Sequence, residues 1–376
     1  LLMDPRRDTR WWGWGDPEES GSLNEASEAM LMEREILPES APVLPALGEV
    51  KVPPAQPLPD SITDLVGAAN VFTNDEDRIR HSGGQSYLDL LGRRSGVIDA
   101  APDAVVLPAD AGQIGPLLDI CAEAGIAVVP FGGGTSVVGG IAPIRGDHDR
   151  VISPDLCNLR GCDIDPVSRT ARLGAGLRGP EAEKLLGAEG FTLGHFPQSF
   201  EYATIGGFAA TRSAGQSSSG YGRFDSMVSS VRLIAPAAEL STLDTPHTAI
   251  GPTLREMVIG SEGIFGVIPA VDVRIRPAPA MRRYEAWIAE DFRSGNEIMR
   301  DLAQAGLLPT IARVSDDAET RVSLASAVPS GVAGSAFKGY LGLRGRSGGS
   351  LVIVGIEGTS DHVRRTRPEL ARRLRN

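Results

Sequence analysis

A glycine-rich loop between two apolar runs is the feature that most limits how this chain can fold. The stretch VVPFGGGTSVVGG covers residues 128–140 and places consecutive glycines at 132–134, followed by a threonine and a serine. Consecutive glycines reach positive φ and have no Cβ, so their amides can converge on an anion. No lysine or arginine lies between Arg94 and Arg145, which excludes a P-loop because that motif needs a lysine. The pattern predicts either a tight turn or a cradle of backbone amides and hydroxyls for a phosphate.

Two later segments favour the phosphate cradle over the turn. Residues 195–228 read HFPQSFEYATIGGFAATRSAGQSSSGYGRFDSMV, in which aromatic residues are distributed through a Gly/Ser-rich stretch. A flexible linker is the alternative interpretation, but linkers are poor in aromatic residues. Backbone held close to a large planar ligand explains both the small and the aromatic residues. A third segment, IGSEGIFGVI at 259–268, leads into an apolar run typical of a strand.

The order of strand-like and helix-like segments predicts an α+β chain in three parts. Residues 1–98 have helical spacing interrupted by a proline-rich connector, and two short helices there break at Gly83 and Gly84. Short β-branched runs alternate with single helices over residues 99–279. After the prolines near that boundary, residues 280–376 follow the order strand, helix, strand, strand, helix. Pro368 is expected to interrupt the last of these helices.

Two other sites are disfavoured by their residue patterns. Gly174, Gly176 and Gly179 match the dinucleotide-binding fingerprint, but carboxylates in the following helical turn would oppose a pyrophosphate. A plain strand-to-helix turn is the preferred interpretation. Cys157 and Cys162 lack the spacing of zinc ligands. No metal site is therefore predicted, and the scattered histidines define no catalytic triad.

Charge and cysteine content limit the classes of partner. The formal net charge of −11 disfavours nucleic acid as a partner. Three cysteines form no paired disulfide framework, so we expect a reducing, cytoplasmic compartment. Because no apolar run is long enough to span a bilayer, no transmembrane helix is predicted.

Taken together, the glycine-rich segments resemble the vanillyl-alcohol-oxidase or PCMH-type FAD-binding superfamily. The motifs GWGDP, AVVPFGGGTSVVGG, LGHFPQSFEYATIGGFAATRSAGQSSSGYGRFD and EMVIGSEGIFGVI also resemble the alkyldihydroxyacetonephosphate synthases, especially their bacterial branch. The resemblance implies a two-subdomain FAD-binding fold over 99–279, preceded by an N-terminal helical region and followed by a partial α/β cap domain. The residues that it implies for FAD binding are Pro130, Phe131, Gly132, Gly133, Gly134, Thr135, Ser136, Gln198, Ser199, Phe200, Glu201, Tyr202, Ala203, Thr204, Thr211, Arg212, Ser213, Ala214, Glu262, Gly263, Ile264, Phe265, Gly266, Val267 and Ile268.

The resemblance also implies how the flavin is attached and what the enzyme does. Thr135 stands where superfamily members with covalent flavin from this loop carry a histidine, so the FAD is expected to be noncovalent. Ile264 stands where a threonine is common, which removes a hydroxyl. The implied activity exchanges the acyl group of acyl-dihydroxyacetone phosphate for a fatty alcohol. The alternatives are an FAD-dependent oxidoreductase of 2-hydroxy acids such as lactate or glycolate, and a flavin-binding module without turnover.

The family places its catalytic tyrosine, phosphate-binding arginine and histidine cluster downstream of the position that corresponds to Asn376. We therefore expect a C-terminally truncated chain and assign no catalytic residue. The expected substrate is a small molecule or a lipid phosphate, and a homodimer is left open. The helix predicted at 361–375 carries several arginines, for which a solvated surface helix is preferred over peripheral membrane contact.

Overall fold

The computed structural model describes residues 9–18, 23, 25–34, 36–37, 43–245, 249–327, 332–344 and 349–375. The α-helices are α1 (Glu25–Glu33), α2 (Asp60–Val66), α3 (Asp75–Arg80), α4 (Tyr87–Ser95), α5 (Ile114–Glu123), α6 (Gly179–Ala188), α7 (Ile205–Ala210), α8 (Ser218–Tyr221), α9 (Phe224–Met227), α10 (Leu254–Val258), α11 (Phe292–Gln304), α12 (Asp317–Ala327), α13 (Val332–Leu343) and α14 (Ser360–Arg373). The strands are β1 (Val71–Phe72), β2 (Ala104–Val106), β3 (Ile126–Val128), β4 (Arg150–Pro154), β5 (Cys162–Asp165), β6 (Thr170–Gly174), β7 (Phe191–Thr192), β8 (Val228–Ile234), β9 (Glu239–Ser241), β10 (Ala270–Arg274), β11 (Arg276–Pro277), β12 (Met281–Ala289), β13 (Ile311–Val314) and β14 (Ser350–Gly358).

The chain divides into two compact units. The first contains Leu1–Glu19, Leu44–Gly215 and Arg223–Pro277, and the second contains Ser20–Val43, Gln216–Gly222 and Ala278–Asn376. This division differs from the expected three parts, because most of 1–98 belongs to the first unit. The expected boundary near residue 279 lies close to the observed division after Pro277. The assignment of these stretches to functional domains stays a prediction.

The first unit is built on two larger sheets. One has the order β1-β2-β4-β3, with β2 and β3 parallel to β4 and β1 antiparallel to β2. The other is antiparallel, with the order β5-β6-β10-β8-β9. Apolar residues from α5, from the loop after β4 and from β8 form one buried cluster, which includes Leu156, Ala175 and Ile234. This cluster packs residues beside one sheet against residues of the other.

The antiparallel pairing of β6 confirms that the GxGxxG match is not a dinucleotide-binding site. The Rossmann fingerprint needs a parallel βαβ unit, whereas both neighbours of β6 are antiparallel. Its glycines are required by close packing instead. A Cβ on Gly174 would lie 2.2 Å from the Leu159 oxygen, and one on Gly176 would lie 2.0 Å from the Leu156 oxygen.

The second unit contains an antiparallel sheet in the order β12-β14-β13. Helices α11 and α14 contribute Leu302, Val363 and Leu370 to a buried cluster with Val352 and Val354 of β14. Helices α12 and α13 were not predicted. They separate β13 from β14 along the chain, whereas the sequence pattern had placed these two strands in direct succession. Small residues dominate both helices, so neither shows a strong apolar stripe.

Pro368 does not interrupt the last helix, and that prediction was wrong. Helix α14 runs from Ser360 to Arg373 with Pro368 inside it. The helix is held on both sides of the proline, because Val363 and Leu370 are both buried. Tertiary packing therefore outweighs the local cost of the proline.

Candidate functional site: a glycine-lined cavity

A cavity of about 300 Å³ in the first unit brings together the three glycine-rich segments. This volume is at the lower end of the range for small-molecule sites. The predicted residues that line it are Pro130, Phe131, Gly132, Gly133, Gly134, Thr135, Ser136, Ser199, Ala203, Thr204, Thr211, Ser213, Glu262, Gly263, Gly266 and Ile268. Segments that lie far apart in the sequence therefore form one wall.

The glycine-rich loop lies too close to its neighbours for side chains to be accommodated. A Cβ on Gly133 would lie 2.0 Å from the Tyr202 oxygen, and one on Gly132 would lie 2.4 Å from Thr204 Oγ1. Gly134 has a φ of 66°, in the left-handed region. Thr204 caps α7 by accepting a hydrogen bond from Gly207 N at 3.3 Å. The loop is therefore a close-packed backbone surface that borders the cavity.

The polar groups of the cavity suit an anionic cofactor held by neutral donors. Its described lining contains no lysine or arginine, and Glu262 is its one charged residue. Ser136 Oγ is buried and has no hydrogen-bond partner among the described residues. A buried hydroxyl without a partner is costly, so a ligand that bonds to it would remove that cost. The glycine cradle and this free hydroxyl fit the phosphate groups of a dinucleotide.

Other predicted residues do not line the cavity. They are Gln198, Phe200, Glu201, Tyr202, Arg212, Ala214, Ile264, Phe265 and Val267. Ile264 is 84% exposed and Phe265 is 49% exposed. Val267 lies in the core and exchanges backbone hydrogen bonds with Ile234. Their proposed part in FAD binding stays a prediction that the geometry of the cavity does not support.

The side chain of Arg212 bonds to neighbouring segments of the first unit. Its Nε donates to the Ile259 oxygen at 2.9 Å, and its guanidinium contacts Asp225 at 3.2 Å and Glu256 at 2.9 Å. The residue itself has a φ of 49°. Arg212 therefore fixes the loop that carries Thr211 and Ser213 to the cavity.

Sequence reasoning missed part of the lining. The additional residues are Val137, Val138, Gly140, Ile141, Leu156, Ala175, Gly206, Gly207, Phe208 and Ala210. Most of them flank predicted residues, and the glycine pairs at 139–140 and 206–207 were the available signal. Leu156 and Ala175 carried no such signal, because long-range packing alone brings them to the cavity.

Gly84 packs closely against the backbone of the glycine-rich loop. A Cβ on it would lie 2.0 Å from the Ser136 oxygen, and the next residue, Gln85, donates its backbone N–H to that oxygen at 2.7 Å. The sequence pattern had assigned Gly83 and Gly84 only as the break between α3 and α4. Close approach to the loop is a second reason for glycine there.

Arginines of α3 and α4 hold an N-terminal segment beside the loop. Arg80 donates to the Thr9 oxygen at 2.8 Å, Arg93 to the Trp11 oxygen at 3.2 Å, and Arg94 to the Trp12 oxygen at 3.1 Å. A smaller cavity of about 50 Å³ is lined both by this segment and by the glycines at 132–134. Burial lowers the pKa of Arg93, although it stays protonated at neutral pH.

Two buried histidines lie next to the loop and the cavity. His81 Nε2 lies 3.1 Å from Asp155 Oδ2, and its ring centre lies 4.1 Å from that of Phe131. His195 Nε2 lies 2.9 Å from the Ser213 hydroxyl. Burial lowers the pKa of His195 to about 4, so this ring is neutral at neutral pH. No group of side chains in the described residues is suited to a metal ion.

A family model described as FAD binding domain matches residues 102–244. Alkyldihydroxyacetonephosphate synthase of Trypanosoma brucei brucei is 31% identical over 98% of this chain and 66% of its own length. The Dictyostelium discoideum synthase is 32% identical over 66% of this chain and 41% of its own length. A solved structure of alkyldihydroxyacetonephosphate synthase superposes with a TM-score of 0.88 at 26% identity, over 99% of this chain and 74% of that one.

The chain belongs to the PCMH-type FAD-binding superfamily. It is homologous to the alkyldihydroxyacetonephosphate synthases in sequence and in fold, and its cofactor is FAD. The expected α+β, PCMH-type fold is confirmed by these matches and by the sheets described above. The chain spans less than two thirds of the length of these curated relatives.

Proposed function

We propose that the chain binds FAD noncovalently in the glycine-lined cavity and is the flavin-binding part of an alkyldihydroxyacetonephosphate synthase. The observation that carries the proposal is the match to the Trypanosoma synthase over 98% of this chain. The proposed reaction replaces the acyl group of acyl-dihydroxyacetone phosphate with a fatty alcohol. A lipid phosphate is therefore the proposed substrate.

The cavity supports this proposal through its neutral phosphate cradle. Hydrogen bonds from backbone N–H groups or hydroxyls to a charged phosphate stabilise a complex by about 1.5–3 kcal/mol each. A few such bonds from 132–136 compensate for the absence of lysine and arginine in the described lining. Thr135 offers a hydroxyl where a covalent attachment would need a nucleophilic side chain such as histidine. Threonine at this position supports noncovalent binding.

The residues of the chain would position FAD, and the isoalloxazine ring would supply the chemistry. The loop and Ser136 would hold the phosphates. The apolar lining, which includes Val137, Ile141 and Phe208, would exclude water from the bound cofactor. Glu262 and several hydroxyl-bearing residues line the cavity, but none of them is assigned a catalytic role.

The first experiment tests noncovalent FAD binding. The protein is expressed, loaded with FAD and precipitated with acid. All of the flavin is expected in the supernatant, because nothing links it to the chain. Flavin in the washed precipitate would contradict noncovalent binding, and failure to retain FAD on gel filtration would contradict the proposed site.

The second experiment tests the proposed reaction directly. The protein is loaded with FAD and incubated with acyl-dihydroxyacetone phosphate and a labelled fatty alcohol. Labelled alkyl-dihydroxyacetone phosphate and released fatty acid are the products that the proposed reaction would give. Rapid bleaching of the flavin by lactate or glycolate in stopped flow would favour a 2-hydroxy-acid oxidoreductase instead. Flavin binding without either reaction would identify a binding module.

Peripheral membrane contact receives little support from α14. Its arginines Arg364, Arg367, Arg372 and Arg373 form ion pairs with nearby carboxylates, and its apolar side is buried. Membrane-surface helices instead expose an apolar face. Among the described residues, no helix is long and apolar enough to cross a bilayer. A homodimer stays a prediction that sedimentation of the purified protein would test.

A further inference from the structure

Ser213 connects the cavity to a buried histidine. Ser213 lines the cavity, and its hydroxyl oxygen lies 2.9 Å from His195 Nε2. His195 is only 1% exposed, and its ring lies 4.8 Å from the ring of Phe208 and 5.3 Å from that of Phe224. A polar ring in such an apolar surrounding is costly unless its nitrogen atoms are used.

The proton of His195 decides how the Ser213 hydroxyl is oriented. Because burial lowers the pKa of His195 to about 4, the neutral ring carries one proton, on Nδ1 or on Nε2. If Nε2 carries it, the ring donates to Ser213 Oγ and the hydroxyl hydrogen stays free for another acceptor. If Nδ1 carries it, the hydroxyl hydrogen is used in a bond to Nε2.

The surroundings of Nδ1 favour the first arrangement. His195 Nδ1 is buried and has no hydrogen-bond partner in the part of the chain that the structure describes. A proton there would be a buried donor without an acceptor, whereas the same proton on Nε2 is used in the contact with Ser213. Orphaned buried N–H groups are rarer in proteins than acceptors with unused lone pairs. The proton therefore belongs on Nε2.

We propose that His195 is a positioning residue that turns the Ser213 hydroxyl hydrogen into the cavity, where it donates to an acceptor atom of bound FAD. The inference rests on the proposed FAD site and adds a residue that does not itself line the cavity. His195 acts through Ser213 and has no direct contact with the cofactor. Its neutral state matters because an imidazolium would place an unpaired charge in the apolar surrounding.

Substitutions at both residues test the proposal by FAD affinity. Ser213→Ala removes the donor and is expected to weaken FAD binding about tenfold, the effect of one hydrogen bond to a ligand. His195→Phe loses the Nε2–H that orients the hydroxyl but keeps the hydroxyl itself, so it is expected to weaken binding by no more than Ser213→Ala does. His195→Gln retains an amide donor and is expected to stay within about threefold of the wild-type affinity. The double variant Ser213→Ala/His195→Phe should bind no more weakly than Ser213→Ala alone, because His195 acts only through the Ser213 hydroxyl.

Ser229→Ala is the matched control. Ser229 is a buried serine that donates to the Asp272 oxygen at 3.2 Å, and it does not line the cavity. Its loss should leave FAD affinity unchanged. Circular dichroism and thermal melting of every variant without FAD identify those that fail to fold.

The tautomer of His195 provides a test that needs no variant to fold. Nitrogen-15 chemical shifts of labelled wild-type protein are expected to show a protonated Nε2 and an unprotonated Nδ1. A protonated Nδ1 would overturn the proposal. So would wild-type affinity in folded Ser213→Ala or His195→Phe. If the wild-type chain binds FAD but one of these contradicting results is obtained, only the role of His195 is refuted. Absence of FAD binding in the wild type would refute the proposed site itself.

Discussion

Gly133 shows at the scale of one residue why the loop needs glycine. A Cβ at this position would lie 2.0 Å from the Tyr202 oxygen, a backbone atom that cannot rotate away. The loop would have to move from its neighbours, and such overpacking costs about 1–3 kcal/mol. Because the same backbone borders the cavity, the movement would also displace the amides that we propose as the phosphate cradle.

We expect Gly133→Ala to lower FAD affinity by about tenfold or more and to destabilise the protein by about 1–3 kcal/mol. Fluorescence titration with FAD and chemical denaturation measure the two effects. Gly187→Ala is the matched control, because Gly187 is exposed on α6 and a Cβ there would meet nothing within 4 Å. That control should keep its FAD affinity and gain slight stability. Equal affinity in both variants would contradict the role of the loop.

The lowered pKa of His195 predicts that the stability of the protein depends on pH. Its pKa is lowered from 6.5 to about 4 in the folded protein, so the unfolded chain binds more protons between these two values. The contribution of the neutral ring is therefore complete above pH 6.5 and is lost as the pH falls towards 4. One residue with this shift contributes about 3 kcal/mol across the window.

The measurement compares wild type with His195→Phe in urea denaturation between pH 7 and pH 4.5. The wild type should lose more stability on acidification than the variant, since phenylalanine binds no proton. The carboxylates titrate in both proteins, so their contributions to stability cancel in the difference. Parallel pH profiles would show that His195 does not titrate in this way.

At the scale of elements, α14 shows that packing can maintain a helix through an internal proline. Pro368 lacks an N–H, so the carbonyl group of Arg364 loses its usual i to i+4 hydrogen bond, and the proline ring crowds that carbonyl. The helix nevertheless continues to Arg373. The sequence pattern alone could not show this, because the stabilising contacts come from α11 and β14 in the second unit.

Replacing this proline should stabilise the protein. Pro368 is exposed, so Pro368→Ala removes no buried contact, and it restores one helix hydrogen bond. A gain of about 1–2 kcal/mol is expected, because a helix-interior proline costs about 3 kcal/mol and its rigidity in the unfolded chain returns up to about 1 kcal/mol. Thermal melting measures the change. Pro57→Ala, in an exposed loop, is the matched control and should destabilise slightly, and a loss of stability in Pro368→Ala would contradict this account.

At the scale of the whole molecule, the described lining of the cavity comes entirely from the first unit. FAD is therefore expected to slow amide hydrogen exchange at 130–141, 199–213 and 262–268, the segments that contribute residues to the cavity wall. A ligand at one hundred times its Kd stabilises the bound state by about 2.7 kcal/mol. Mass spectrometry with and without FAD would locate this protection. Strand β14 in the second unit is the internal control, and protection centred there would contradict the proposed site.

Much of this organisation could be predicted from the sequence because its signals are local. The helices α3 and α4, with the break at Gly83 and Gly84, follow from short-range periodicity and glycine. The three glycine-rich segments were found in the same way, and the structure places members of all three around one cavity. Helices α12 and α13 escaped prediction because small residues give little periodicity.

The sequence by itself determined which chemical groups the glycine-rich loop can offer. Its glycines, its hydroxyls and the absence of a cation over residues 95–144 exclude a P-loop and indicate backbone recognition of phosphate. Those properties belong to residue types, so they are independent of the fold.

Only the tertiary structure decided which side chains border the cavity. It directs Ile264 towards solvent, uses Arg212 to fix a neighbouring loop, and places His195 behind Ser213. The physical reason is that these orientations depend on pairings between segments far apart in the chain, which local propensity does not encode. The same long-range packing brings Leu156 and Ala175 to the cavity wall.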